Sequence, residues 1–142
     1  MHKVREIAGK MLVAALALLV LACSSPSSES SSLYDLQASC GNSARDWFSK
    51  LHGRDTPDTF RNFDFANHYN QKSNRCYLIW NETHTGPGSY ISYQLVDVND
   101  NAAIGFYLQP VDDEKPTRCE VDGKHCQSSK EWTTLVTPYL HE

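Results

Sequence analysis

FRNFDFANHYNQKSNRCYLIWN, Phe60 to Asn81, decides how this chain folds. Phe63, Phe65 and Tyr69 recur at even spacing, with Asp64 and His68 among the residues between them and Asn70 next after Tyr69. That is the period-2 pattern of a strand with one buried face. Cys76, Leu78 and Trp80 repeat the pattern, and Tyr77 and Ile79 take the opposite face. Between the two runs lies NQKSN, Asn70 to Asn74, polar and turn-prone. The stretch predicts a β-hairpin with an aromatic core face against which the rest of the chain packs.

Upstream, Leu33, Leu36, Cys40, Ala44, Trp47, Phe48 and Leu51 fall on one stripe at three- and four-residue spacing. This predicts a helix over 33–53, with Gly53 as its stop. Residues 54–59 (RDTPDT) form a connection, and the Gly-Pro-Gly stretch ends a loop over 81–88. Downstream, YISYQLVDV (90–98) and AAIGFYLQ (102–109) read as third and fourth strands, joined by a tight turn at Asn99-Asp100-Asn101. Ile91, Tyr93 and Leu95 share one face, and so do Ile104, Phe106 and Leu108. Residues 109–127 are rich in Pro and charge and read as irregular. Ser128 and Glu131 then have capping-box spacing. Trp132, Leu135, Val136 and Tyr139 form a helical stripe that Pro138 should end or kink near Thr137. The expected fold class is α+β: an N-terminal helix, a four-stranded antiparallel meander, a C-terminal helix and two disulfides.

The chain has 142 residues, enough for one domain. Residues 1–22 read as a lipoprotein signal peptide. Lys3, Arg5 and Lys10 precede the apolar run MLVAALALLVLA, which is short for a membrane span. Val20-Leu21-Ala22-Cys23 then resembles a bacterial lipobox, in which Cys23 becomes the lipid-bearing N-terminus. Residues 23–33, with SSPSSESSS at their centre, read as a flexible tether. Residues 34–142 form the foldable domain. Four cysteines remain for it, Cys40, Cys76, Cys119 and Cys126. An even count in a short exported domain implies two disulfides. Spacing pairs Cys119 with Cys126 around Asp122-Gly123, and the shared core face pairs Cys40 with Cys76. After Cys23, ten Lys/Arg against sixteen Asp/Glu give a net charge of −6. An acidic domain without a basic patch argues against nucleic acid as a partner.

The sequence carries no catalytic signature. Asp97 to Asn101 has alternating oxygens, but Ala102 and Leu108 stand where a calcium loop needs Gly and a carboxylate. His52, His68, His84, His125 and His141 include no close pair suited to zinc, and there is no Cys-x-x-Cys. With all four domain cysteines paired, no thiolate is left as nucleophile. No cofactor and no metal site is expected. His68-Tyr69-Asn70 has two readings. His68 and Asn70 form either a polar surface that binds a partner or a hairpin cap that satisfies loop backbone groups, and the cap is favoured.

HYNQKSNRCYLIW, with Cys40 upstream and the Cys119/Cys126 pair before the Trp132 helix, resembles a group of small uncharacterised bacterial exported proteins. These carry a similar HYN-x-K-x-N-x-C core after a leader. The resemblance spans about Cys40 to Tyr139 and implies no activity, cofactor or catalytic residue. The expectation is a non-catalytic interaction or accessory module in the bacterial cell envelope. It would be held to a membrane by a lipid on Cys23 and engage an envelope protein. The competing expectation is a small secreted hydrolase or metal-binding protein that uses His68 and His84.

Overall fold

The computed structural model describes residues 28–53 and 60–141. The expected signal peptide, Cys23 and the 54–59 connection lie outside the described residues. The chain divides into two compact units, 1–34 and 35–142. The sheet, both disulfides and the C-terminal helix belong to the second. The described elements run α1 (Ser28–His52), β1 (Arg61–Asn70), β2 (Arg75–His84), β3 (Tyr90–Asp97), β4 (Ala102–Pro110), β5 (Arg118–Val121), β6 (Lys124–His125) and α2 (Ser129–Leu140).

The class is α+β, but the sheet has six strands rather than four, in the order β1-β2-β3-β4-β5-β6. Every neighbouring pair is antiparallel. The two added strands lie in the segment expected to be irregular. Arg118–Val121 is short and flanked by charge, so its alternation is faint in sequence. Pairing with β4 supplies what local pattern lacks, since Tyr107 faces Cys119 and Gly105 faces Val121. Asp122 and Gly123 both have positive φ, 49° and 74°, the backbone of a two-residue hairpin turn. Across that turn the Cys126 N–H donates to the Cys119 carbonyl at 2.9 Å, beside the Cys119–Cys126 disulfide with its Cα atoms 5.0 Å apart.

Other boundaries move for local reasons. The Ser-rich segment expected to be a tether is helical from Ser28. Serine costs a helix only a few tenths of a kcal/mol, roughly, so a helix anchored downstream propagates into it. β2 continues to His84 into the expected 81–88 loop, because Asn81, Glu82 and Thr83 pair with both β1 and β3. α2 runs through Pro138 to Leu140 instead of stopping near Thr137. Its last turn is held from outside: the Asn70 side-chain amide donates to the Pro138 carbonyl at 3.0 Å. At its start, Ser128 Oγ accepts from the Glu131 N–H at 3.2 Å. Glu131 Oε2 in turn accepts from the Gln127 N–H at 2.9 Å.

The helices pack on opposite faces of the sheet. α1 lays Ala44, Trp47 and Phe48 over Phe63, Phe65, Leu78, Trp80 and Val96. The Cys40–Cys76 disulfide, with Cα atoms 5.3 Å apart, pins α1 to β2 beside Tyr69. Leu36 and Leu51 of the expected stripe are exposed. On the other face α2 lays Trp132 and Val136 over Tyr77, Leu95, Tyr107 and Val121. β4 does not present Ile104, Phe106 and Leu108 on one face as expected. The register with β3 shifts at Leu95/Val96, so that Leu95 faces Gly105 while Val96 faces Ala103. The extra residue, Ile104, packs with the α2 core, whereas Phe106 and Leu108 stay on the α1 face.

β1 is a long edge strand, and two of its outward N–H groups are occupied by side chains. Phe65 N donates to Asp64 Oδ1 at 2.8 Å and Tyr69 N donates to Gln37 Oε1 at 2.9 Å. Spending these two donors makes the edge a poorer template for another strand.

Candidate functional site

Strand alternation and register place Trp80 and Glu82 of β2, Tyr90, Ser92 and Gln94 of β3, and Phe106, Leu108 and Pro110 of β4 on the face that α1 shares. α1 packs on the β1–β2 side of that face. Farther across, the sheet carries a cavity of about 450 Å³, whose lining includes Trp80, Glu82, Tyr90, Phe106, Leu108 and Asp112. A second cavity, of about 230 Å³, is lined by Gln94, Phe106, Arg118 and Glu120 among others. Phe106 lines both cavities, and the larger one is the candidate groove.

The floor is aromatic and apolar, and the polar groups are positioned. Trp80 Nε1 donates to Gln94 Oε1 at 3.0 Å. The Tyr90 hydroxyl donates to Glu82 Oε1 at 2.7 Å, and the same oxygen lies 3.5 Å from Arg61 Nε. Burial first, and then the hydrogen bond to Glu82, raise the Tyr90 pKa. The Arg118 guanidinium lies over the Phe106 ring, 4.7 Å from its centroid. His84 stacks on Tyr90 with ring centroids 5.2 Å apart, and its Nδ1 is buried without a hydrogen-bond partner.

The residues singled out in the sequence do not converge here. Asn70 is 3% exposed, and its amide is committed. Oδ1 accepts from Ser73 N at 3.0 Å and Ser73 Oγ at 3.1 Å, while Nδ2 donates to the end of α2. His68 pairs with Tyr77 on the α2 face, with its Nε2 buried and lacking a hydrogen-bond partner. His84 is on the α1 face, so the sheet separates the two histidines. His52 lies among Phe48, Phe63 and Trp80, and His125 is exposed, 4.0 Å from Glu120. Among the described residues no group of three or more His, Cys, Asp or Glu side chains is placed to hold a metal ion.

The Asp97–Asn101 turn spends its side-chain oxygens on its own backbone and on α1 and β2. Asp97 Oδ1 accepts from the Asn99 and Asp100 N–H groups at 2.9 and 3.3 Å, and Asp97 Oδ2 takes Arg75 Nη1 at 2.5 Å. Asp100 also bonds Arg75, and these two carboxylates raise the arginine's pKa. Asn99 Oδ1 accepts from Cys76 N at 2.7 Å and Asn101 Oδ1 from Trp47 Nε1 at 2.5 Å. The turn thereby ties α1 and β2 together.

The groove residues escaped the sequence reading because they come from three strands and the β4–β5 connection. Trp80 reads as core, Glu82 as loop, and Leu108 as half of an apolar alternation. The available signal was Glu82 and His84 extending the alternation of Cys76, Leu78 and Trp80.

Burial raises the pKa values of Tyr90, Tyr107 and Tyr139, which gives a prediction. A group with a raised folded-state pKa contributes stability that is fully present below its unfolded value and is lost as pH rises through the folded value. Denaturant midpoints should therefore fall from about pH 10 upward. The tyrosinate absorbance of these three residues should appear at higher pH than that of free tyrosine. A flat midpoint across that range would refute their burial as placed. The chain matches no protein-family model, no curated protein and no solved structure.

Proposed function

We propose that the protein is an exported, lipid-anchored binding module of the bacterial cell envelope, without catalysis of its own, that engages an envelope protein through the groove on the α1 face. The observation that carries the reading is the groove itself: Trp80, Tyr90, Phe106 and Leu108 form an aromatic and apolar floor beside Glu82 and Asp112. Aromatic side chains on a rigid sheet are strong binding anchors. Two disulfides suit an oxidising compartment, and the leader, the lipobox-like VLAC and the Ser-rich segment agree with export and anchoring. None of the described helices is long and apolar enough to cross a membrane. Anchoring through Cys23 requires none.

The test has two arms. Cys23→Ser should release the protein from membranes or leave it unprocessed. A mature chain that begins elsewhere and washes off membranes would overturn the anchor. A photo-crosslinking residue at Leu108 should capture an envelope protein in intact cells, whereas the same residue at Thr134, on the exposed side of α2, should not. Capture only from Thr134 would move the binding face off the groove.

A further inference from the structure

We infer that the groove binds an extended polypeptide segment in which a Lys or Arg lies next to a large apolar side chain. This rests on the groove being the binding face and specifies what it takes. The shape argues for an extended occupant, because two cavities of about 450 and 230 Å³ share Phe106 in their linings. A compact ligand would fill one of them. A chain lying across Phe106 can place one side chain in each.

The chemistry argues for a basic one. The charged side chains lining the larger cavity, Glu82 and Asp112, are both acidic. Asp112 opens the exposed acidic run Asp112-Asp113-Glu114 at the groove's end, and the chain after Cys23 carries a net charge of −6. Facing carboxylates attract and orient a basic partner. The floor adds a second attraction. The faces of Trp, Tyr and Phe rings carry negative potential and accept ammonium or guanidinium groups. Arg118 already lies over Phe106 at 4.7 Å and lines the smaller cavity, so the incoming cation belongs in the larger cavity beside Trp80 and Tyr90. Glu82 is held by the Tyr90 hydroxyl and Arg61, so it shapes the wall while Asp112, at the rim, meets the incoming charge. The apolar neighbour of the basic residue packs on Leu108, Pro110 and Phe106.

Panning a library of short random peptides against the detergent-solubilised full chain tests this. Enriched peptides should pair Lys or Arg with an adjacent Phe, Trp or Leu. They should bind about tenfold more weakly to Asp112→Lys, weaken with added salt, and be lost on Phe106→Asp. A melting curve and near-UV spectrum accompany Phe106→Asp, and Leu108→Asp replaces it if the first variant unfolds. Asp112→Lys changes an exposed turn and reads independently of either. A neutral or acidic consensus that is still lost on Phe106→Asp would overturn the basic segment and leave the groove as the binding face. Peptides indifferent to both floor variants would overturn the groove as well. No enrichment at all would overturn a peptide as the occupant.

Discussion

Cys40→Ser and Cys76→Ser should each cost about 4 kcal/mol of stability, and the double variant should be no worse than either single one. The bond joins residues 36 apart in sequence, and closing a loop of that length in the unfolded chain is worth about 4 kcal/mol in the chain-entropy model. That figure is an upper one, since real denatured chains are already partly compact. A small domain has about 5–15 kcal/mol in all, so the loss should be visible as a large fall in denaturant midpoint. Both sulfurs are buried, with Cys40 4% and Cys76 5% exposed, and the bond is the covalent link between α1 and the sheet. Groove-facing Trp80 packs in the same α1 layer. Loosening α1 should therefore also broaden the Trp80 fluorescence signal before global unfolding. Strictly additive losses for the two serines would mean that the sulfurs are not partners.

Trp132→Ala should cost about 3–5 kcal/mol. Trp132 is 4% exposed at the centre of the α2 core, with its ring centroid 5.8 Å from that of Tyr107. Directly beneath it β4 has Gly105. A Cβ there would lie 3.1 Å from Trp132 Cη2, 3.1 Å from Val121 Cγ2 and 3.3 Å from the Glu120 carbonyl oxygen. Gly105→Ala should cost about 1–3 kcal/mol by overpacking. In a Trp132→Phe background the nearest ring atom is gone, so the same Gly105→Ala change should cost less. The coupling should be about 0.5 kcal/mol or more. Equal costs in the two backgrounds, read from denaturant midpoints, would refute the close approach of the indole to β4. Because α2 lies on the face opposite the groove, Trp132→Ala should lower stability without altering peptide recognition by the folded fraction.

The helix–sheet–helix order, the leading hairpin and the two disulfides were legible in the chain because each rests on local or short-period information. Phe63, Phe65 and Tyr69 alternate, Cys76, Leu78 and Trp80 alternate, and Trp132, Val136 and Tyr139 recur at helical spacing. β5 and β6 were not legible. A four-residue strand and a two-residue strand carry too few alternations to rise above the surrounding charge and proline. They exist because β4 offers an open edge and a disulfide closes the hairpin. Pro138 predicts an end or a kink near Thr137 because its ring removes a donor, a local fact. The helix passes it because Asn70, 68 residues away in sequence, holds the carbonyl at its end.

Asn70 shows the same division at the candidate site. Its place in a polar triplet allowed either a binding surface or a cap; Oδ1 caps the hairpin through Ser73, the favoured reading, while Nδ2 runs to a helix the hairpin pattern does not contain. The groove shows it again. Alternation states that Trp80 and Glu82 share a face and that Phe106 and Leu108 share a face. It does not state that these are the same face of one sheet, nor where the covering helix stops. The register of β2 with β3, the one-residue shift between β3 and β4, and the disulfide that holds α1 toward the β1–β2 side decide those points. Side-chain period is a property of neighbours in sequence and was determined by the chain alone. The groove joins residues from Trp80 to Asp112 that only strand pairing brings together, so the tertiary structure decided it.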